Sequence, residues 1–298
     1  MQKTRAPRRH VDGIVLLDKP LGLSSNTALQ IVRRLYNAEK AGHTGNLDPL
    51  ATGLLPVCLG QATKLSAYLL DADKRYRARV RLGIRTSTGD AEGEAVAESD
   101  PALLSRERLE AAIPQFLGTI EQVPPMYSAL KRDGKPLYAL ARAGVEVERA
   151  PRQVRIRELR LLDYDGLHFE FEVACSKGTY IRTLAEDWAA AVGQQAHLAA
   201  LRRSGVEPFD AGAMIPLERL ENEPEGSRDA LLLPPAAALA GWPRLSVDEG
   251  LAGRLGHGQT VAVQAAAGLQ AVFDGAGRLL GIAESDGAGR LAPRRWLA

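Results

Sequence analysis

Residues 74–83, KRYRARVRLG, alternate two kinds of side chain without a break: Arg75, Arg77, Arg79 and Arg81 on one side, Tyr76, Ala78, Val80 and Leu82 on the other. A period of two belongs to a β-strand with one face in a core and one in water, because a helix would scatter both sets around its circumference. The chain must therefore contain a sheet that is apolar on one face and carries a row of guanidiniums on the other. The segments around it predict how that sheet is completed. Residues 11–18, VDGIVLLD, read as a buried strand ending at the Lys19-Pro20 turn. SSNTALQIVRRLYN reads as a helix, with Ser24 or Ser25 as its cap and Ala28, Ile31, Val32 and Leu35 on one face. QATKLSAYLL and SRERLEAAIPQFLG read as further helices, QVRIRELRLLDYDGLHFEFEVACSKGTYIR as two or three strands, TLAEDWAAAVG as a helix, and AHLAALRRSGVEPF as leading into another strand. Strands and helices interleave irregularly, with hairpin signals among them. That order predicts an α+β fold with a mixed, largely antiparallel sheet and flanking helices, and argues against a doubly wound one.

The proline- and alanine-rich stretch at 222–243 marks a junction, and the glycine-punctuated strands after it predict a small β module over 244–298. The expected organisation is a basic arm over 1–10, a main domain over 11–243 and that module. Charge is unevenly spread. Segment 131–160 has nine Lys/Arg (Lys131, Arg132, Lys135, Arg142, Arg149, Arg152, Arg155, Arg157, Arg160) against Asp133, Glu146, Glu148 and Glu158, whereas segment 90–122 has eight acids against Arg106 and Arg108. A chain of net charge +2 polarised in this way can turn one side to a polyanion. The basic part includes the 124–152 stretch, which reads as a long excursion from the main body. Cys58 and Cys175, far apart and in apolar surroundings, have no metal-ligand spacing and fit a reducing compartment. No apolar run approaches the roughly 18 residues that cross a bilayer, and the block after the basic start is too short for a secretory signal. A cytoplasmic address, with neither metal nor membrane, is expected.

One block stands apart: AGHTGNLDPLATGLLPVCLG, residues 41–60, places Asp48 alone in a glycine-rich turn and then returns at once to apolar residues. An Asp before Pro is ordinarily a turn residue that accepts backbone hydrogen bonds. Here the rest of the block carries no formal charge, so the turn should sit in a cleft, where a carboxylate needs a cationic partner. The Walker and dinucleotide spacings are both absent, so no nucleotide cofactor is expected. His43 could donate to a phosphate or base edge, or simply hold the turn. Tyr76 could be core, or could stack an unpaired base beside cations that meet phosphates. KGTYIRT, 177–183, ends one strand and enters a helix; Tyr180 and Arg182 are two apart, which on a strand places them on the same face, and Arg182 is the best candidate partner for Asp48.

GHTGNLDPLATGLLPVCLGQATK, with LDKPLGLSSN before it and DADKRYRARVRLG, CSKGTYIRTLAEDW and LRRSGVEPF after it, resembles the bacterial tRNA pseudouridine-55 synthases of the TruB family. The motifs occur in family order over most of residues 11–220. The tail from about 245 is more loosely similar to the family's small RNA-binding, PUA-like module. The resemblance implies isomerisation of uridine 55 in the T arm of tRNA to pseudouridine, without a cofactor. By the same resemblance Asp48 is the catalytic aspartate, Arg182 its ion-pair partner and Tyr76 the ring that stacks on the target base. His43 contacts the extruded nucleotide, Tyr180 and Leu201 line the pocket, and Lys19 and Pro20 form a turn near it. The basic 124–152 insertion would clamp RNA. Asn46 stands where family members often have alanine.

The chemistry accounts for the Asp48 block. Breaking N1–C1′ and joining C5 to C1′ needs one ionised carboxylate, as a nucleophile at C1′ or as the group that stabilises and deprotonates a glycal-forming intermediate. Either route needs the uridine out of its stack. No protein partner is implied and a monomer is expected. Two rivals remain: an RNA-binding protein or tRNA-folding chaperone without catalysis, in which Asp48 is only a turn residue, and a component of a guide-RNA-directed particle.

Overall fold

A computed structural model describes residues 7–132 and 134–297. The first six residues of the basic arm, and Asp133 of the RDGK turn, lie outside the described residues. β1 (Gly13–Lys19) is buried almost throughout, as its apolar run requires. Ser24 caps α1 (Ser25–Leu35), its hydroxyl accepting from the Thr27 N–H at 3.1 Å, a contact worth about 1 kcal/mol. Ser25, the other candidate cap, turns inward instead. It accepts from the Leu47 N–H at 2.7 Å and donates to the Leu47 carbonyl at 3.1 Å, gripping the residue that precedes Asp48 in the chain. β2 (Ala41–His43) and β3 (Ala51–Leu59) flank the Asp48 turn. Leu54, Leu55 and Leu59 of β3 are fully buried, each contributing about 1.5–3 kcal/mol of apolar burial.

QATKLSAYLL divides into a 3₁₀ turn at Gly60–Leu65 and α2 (Ser66–Asp71). The arginine alternation is β4 (Lys74–Leu82), followed by the hairpin β5 (Ile84–Thr86) and β6 (Ala95–Glu98). The expected helix at 105–118 stops early: α3 (Arg106–Ala112) gives way to a 3₁₀ turn at Ile113–Phe116. Pro114 has no N–H with which to continue the ladder to Glu110. β7 (Gly118–Gln122) leads into the excursion, which holds the hairpin β8 (Lys131–Arg132) and β9 (Lys135–Pro136) and the short α4 (Leu137–Arg142). Then come β10 (Arg152–Tyr164), β11 (His168–Cys175), α5 (Ile181–Ala191) and β12 (Ala196–Val206). β13 (Phe209–Asp210), β14 (Ile215–Pro216) and α6 (Leu217–Asn222) precede the junction. The C-terminal module contains β15 (Arg244–Ser246), α7 (Glu249–Gly256), β16 (Val261–Ala262), β17 (Gly268–Phe273), β18 (Leu279–Ser285) and β19 (Arg290–Trp296).

Contacts group the chain into two units. One holds Asp48–Gly53 and Asp71–Val206, the other the residues up to Leu47, Leu54–Leu70 and those from Glu207 onward. In the first, β12 pairs in parallel with the start of β3 and antiparallel with β4, and β4, β11, β10 and β7 continue antiparallel. The apolar face of this sheet closes on Trp188 of α5, which is wholly buried with its ring centroid 5.1 Å from Phe169 and 5.3 Å from Phe171. Its indole N–H donates to the Leu109 carbonyl at 3.0 Å.

The opposite face corrects one expectation. The arginine row is not a free cationic stripe: Arg75 pairs with Glu158 at 2.8 Å, Arg77 with Glu170 at 2.6 Å and Arg79 with Asp165 at 3.5 Å. Arg160 pairs with Glu172, and Arg157 with Asp73. The register of β4 with β11 sets Glu170 opposite Arg79 and Glu172 opposite Arg77, so acids interleave with the arginines across the strands. Residues 75–79 therefore spend their charge on the protein itself.

In the other unit β1 lies between β14, which is parallel to it, and β3, and β2 pairs antiparallel with β3. The strands after the junction form their own five-stranded sheet, order β15-β17-β18-β19-β16, over a small core that includes Val247, Leu255, Val272 and Leu291. The architecture is the mixed, largely antiparallel α+β sheet expected, with a C-terminal β module. Among the described residues no helix is long and apolar enough to cross a membrane.

Candidate active site

Asp48 opens the short turn that leads into β3. Its carbonyl accepts from the Ala51 N–H at 3.0 Å, and Leu50 packs against the core around Trp188. The side chain stands 47% exposed, so the carboxylate is fixed at its base and open at its tip. Its Oδ2 lies 3.0 Å from Nη2 of Arg182, the predicted partner.

Arg182 reaches Asp48 by a different route from the one its sequence suggests. Tyr180 and Arg182 do not share a strand face. Tyr180, with extended φ −94° and ψ 110°, is the N-cap residue of α5, and Arg182 lies in the first turn of that helix. The Arg182 side chain is 7% exposed, and both of its terminal nitrogens are engaged. Nη1 donates to the Thr88 carbonyl at 2.8 Å and faces Asp90 Oδ2 at 3.3 Å. Nη2 donates to the Tyr127 carbonyl at 2.6 Å besides facing Asp48. One planar cation thus bridges an exposed carboxylate and a buried one, and two carbonyls fix its plane.

Asp90 is the residue that sequence reasoning missed. It is 3% exposed, and its Oδ1 accepts from the Thr88 hydroxyl at 2.5 Å and the Glu92 N–H at 3.1 Å. The turn that bears it is pinned to β12 from both sides, Ala91 N–H donating to the Leu198 carbonyl and Leu198 N–H to that of Gly89. A signal was present: TGDAEG repeats the pattern of TGNLDP, an acid in a threonine–glycine turn. Gln122, also missed, is 2% exposed. Its amide donates to the Tyr180 carbonyl at 3.3 Å and accepts from the Tyr180 N–H at 3.0 Å, fixing the start of α5.

Tyr76 lies on the apolar face of β4 and packs against the same core as Leu50 and Leu201. Burial pushes its phenol up, opposed chiefly by the cation of Arg203, while Asp48 adds to the rise. Burial likewise raises the Tyr180 phenol, against Ser128, Arg152 and Arg182. Leu201 stands on β12 opposite Ala51 of β3 and Ala78 of β4, and its carbonyl accepts from the Thr52 hydroxyl at 3.4 Å. Asp48, Arg182, Tyr76, Tyr180 and Leu201 therefore belong to one unit and gather around the start of β3 and the start of α5.

The remaining predicted residues belong to the other unit. His43 closes β2 opposite Val57. Lys19 is fully buried, its ammonium donating to the Pro20 carbonyl at 2.9 Å and the Leu23 carbonyl at 2.6 Å, so the Lys19-Pro20 turn is tied from within. Among the described residues no grouping of His, Cys, Asp and Glu could hold a metal ion. What the first cluster offers is a single oriented carboxylate, a buried cation behind it and an aromatic ring beside it.

Comparison with known proteins agrees along the whole chain. Residues 33–181 match the family described as TruB family pseudouridylate synthase (N terminal domain). Residues 182–240 match the tRNA pseudouridylate synthase B C-terminal domain, and 243–297 the C-terminal domain of pseudouridine synthase II TruB. Among similar proteins, the tRNA pseudouridine synthase B of Stutzerimonas stutzeri is 55% identical over 99% of this chain and 98% of its own. That of Chromobacterium violaceum is 53% identical over 100% and 98%. Among solved structures, a chain from a Cbf5-Nop10-Gar1 complex shares the fold, with TM-score 0.75 and 24% identity over 97% of this chain and 86% of that one. A chain from an H/ACA RNP bound to a substrate RNA containing 2′-deoxyuridine superposes with TM-score 0.73 and 22% identity over 99% and 92%. With the Asp48–Arg182 pair in place, the chain belongs to the TruB family of pseudouridylate synthases.

Proposed function

We propose that this protein isomerises uridine 55 in the T loop of tRNA to pseudouridine, with Asp48 as the catalytic residue. The observation that carries the reading is the Asp48 carboxylate held 3.0 Å from a buried guanidinium, with its tip open and Tyr76 close by. The Asp48 side chain stays 47% exposed while its Oδ2 faces the guanidinium.

The uridine leaves its stack, because ribose C1′ is out of reach of a carboxylate inside the folded loop. Tyr76 stacks on the base, a contact worth about 1–3 kcal/mol in comparable sites. Asp48 then acts at the ribose, either by attack on C1′ or by stabilising and deprotonating a glycal-forming intermediate. The N1–C1′ bond breaks, the uracil turns within the pocket, and C5 joins C1′. The C5 proton is lost and N1 gains one, so the conversion is redox-neutral and calls for no cofactor. Arg182 orients the carboxylate and offsets its charge, while the apolar wall of Leu50 and Leu201 keeps water from the reacting sugar.

Tyr180 lines the pocket, and His43, Lys19 and Pro20 are further residues that contact the extruded nucleotide. Lys131, Arg132, Lys135 and Arg142, all exposed, make the 124–152 insertion a phosphate clamp. The module over 244–298 adds RNA contacts to the domain over 11–243. The protein acts as a monomer in the cytoplasm, where its tRNA substrate is.

The test is to incubate the purified chain with an unmodified tRNA transcript and map pseudouridine by carbodiimide adducts and primer extension. A single stop one nucleotide 3′ of position 55 is expected. Binding and refolding of the transcript with no adduct anywhere would make the protein a chaperone, and dependence on an added guide RNA would make it part of a guided particle.

A further inference from the structure

Side chains alternate along β12, so Leu201 and Arg203 share a face. The register sets Arg203 opposite Tyr76 of β4 on one side and opposite Gly53 of β3 on the other. That face is the apolar one, where Tyr76, Ala78 and Leu201 meet the core around Trp188. An arginine does not belong there by hydropathy, yet Arg203 is 1% exposed. A buried guanidinium costs several kcal/mol in lost hydration unless its donors are used.

The backbone of Arg203 is equally confined. Gly53 has φ +98°, and a Cβ there would lie 2.3 Å from the Arg203 carbonyl oxygen, so β3 and β12 approach as closely as glycine allows. Gly53 is five residues from Asp48, on the strand that leaves the Asp48 turn. Arg203 thus stands on the strand that lies between the strand of the acid and the strand of the ring. Its charge reaches that ring: it is the chief influence opposing the rise of the Tyr76 phenol pKa. Lys74, next on the same face of β4 and also buried, is pushed down to about 8 by burial and by the cation of Arg203.

We propose that Arg203 is a positioning residue for the isomerisation: from its place opposite Tyr76 and Gly53, its buried guanidinium holds the Tyr76 phenol oxygen and so sets the ring beside the Asp48 carboxylate. The inference rests on the reading that Tyr76 stacks on the target base. A guanidinium has donors only, so the phenol oxygen accepts and its own O–H stays available to a second partner. A ring held at its far end as well as at Cβ cannot swing out of the pocket when the substrate base detaches.

A double-mutant cycle on the full chain tests this, using single-turnover release of tritium from C5-labelled tRNA and filter binding for affinity. Arg203→Lys keeps the charge and loses the fork of donors. Its rate constant is expected to fall about 10- to 100-fold, with tRNA affinity unchanged. With Tyr76→Phe already in place, adding Arg203→Lys is expected to cost nothing further, because the oxygen it holds is gone. Equal fold-losses with and without Tyr76→Phe would mean a merely structural arginine and overturn the proposal, as would full activity of Arg203→Lys. Arg203→Gln, which keeps donors without the charge, repeats the cycle should Arg203→Lys not fold, and is read by the same two outcomes. If wild-type protein releases no tritium, the proposed function itself fails; equal losses in an active enzyme sink only the role of Arg203.

Discussion

Replacing Asp90 with asparagine removes one of the two carboxylates that face Arg182 and little else. The amide keeps an oxygen to accept from the Thr88 hydroxyl and the Glu92 N–H, which now meet Asp90 at 2.5 and 3.1 Å. What is lost is the acceptor and the charge opposite Nη1 at 3.3 Å, where the amide sets an NH2 donor against a donor, in a pair whose side chains are 7% and 4% exposed. Losing a hydrogen bond to a charged group costs about 1.5–3 kcal/mol, and breaking a buried pair outright about 3–5 kcal/mol. Arg182 still has Asp48 and the carbonyls of Thr88 and Tyr127, so the upper range is not reached. A loss of about 1.5–3 kcal/mol, or roughly 10- to 150-fold in rate, is expected. It should fall on turnover and spare tRNA affinity, because Asp90 is buried behind the guanidinium. With Asp90 neutral, Arg182 also leans its whole charge on Asp48 and holds it back from the ribose. Single-turnover tritium release from C5-labelled tRNA, beside filter binding, separates the two quantities. Wild-type turnover in Asp90→Asn, or a loss confined to affinity, would refute the bridging role.

Three further outcomes follow from the same geometry. Arg182→Met should reduce turnover more than Asp90→Asn while far-ultraviolet circular dichroism stays native, and unchanged turnover would remove Arg182 from the mechanism. Replacing Lys131, Arg132, Lys135 and Arg142 together by glutamine should weaken tRNA binding and flatten its dependence on salt. The paired Arg77 and Glu170, replaced together, should leave the salt slope as it was, and a reversal of these two results would move the RNA to the sheet face. Glu186 on α5 is raised to about 7, chiefly by burial. Its carboxyl is therefore harder to ionise in the folded protein, and stability is lost as pH rises from about 4.5 to about 7. Glu186→Gln should raise the unfolding midpoint at pH 8 and leave it unchanged at pH 4; an equal gain at both would assign the effect to packing.

Much of this could be read from residue order because the signals were local. Strict alternation in KRYRARVRLG specifies β4 and which side of it is buried, and an apolar run behind one acid specifies the Asp48 turn and its rigid base. The pairing of Asp48 with Arg182 was reachable because a carboxylate in a cleft demands a cation. Other features depended on which segments meet. The arginines of β4 look like a phosphate surface until β10 and β11 bring acids across from them. Asp90 looks like part of an acidic stretch until the hairpin after β4 folds its turn onto β12. Tyr180 and Arg182 look like strand neighbours, but the chain turns into α5 between them, and the helix supplies the reach that strand geometry was expected to give. Gln122 carries no sequence signal, since a buried glutamine is recognisable only from the backbone it clamps.

The central claim is that one side chain performs the chemistry. Asp48→Asn removes the charge with almost no change in volume and keeps the backbone bond from the Ala51 N–H to the residue 48 carbonyl. Under saturating enzyme and a single turnover on a C5-tritiated T-arm stem-loop, wild-type protein should release its label as pseudouridine forms, and Asp48→Asn should bind the same RNA and release none. Tritium released by the asparagine protein at anything near the wild-type rate would contradict the account.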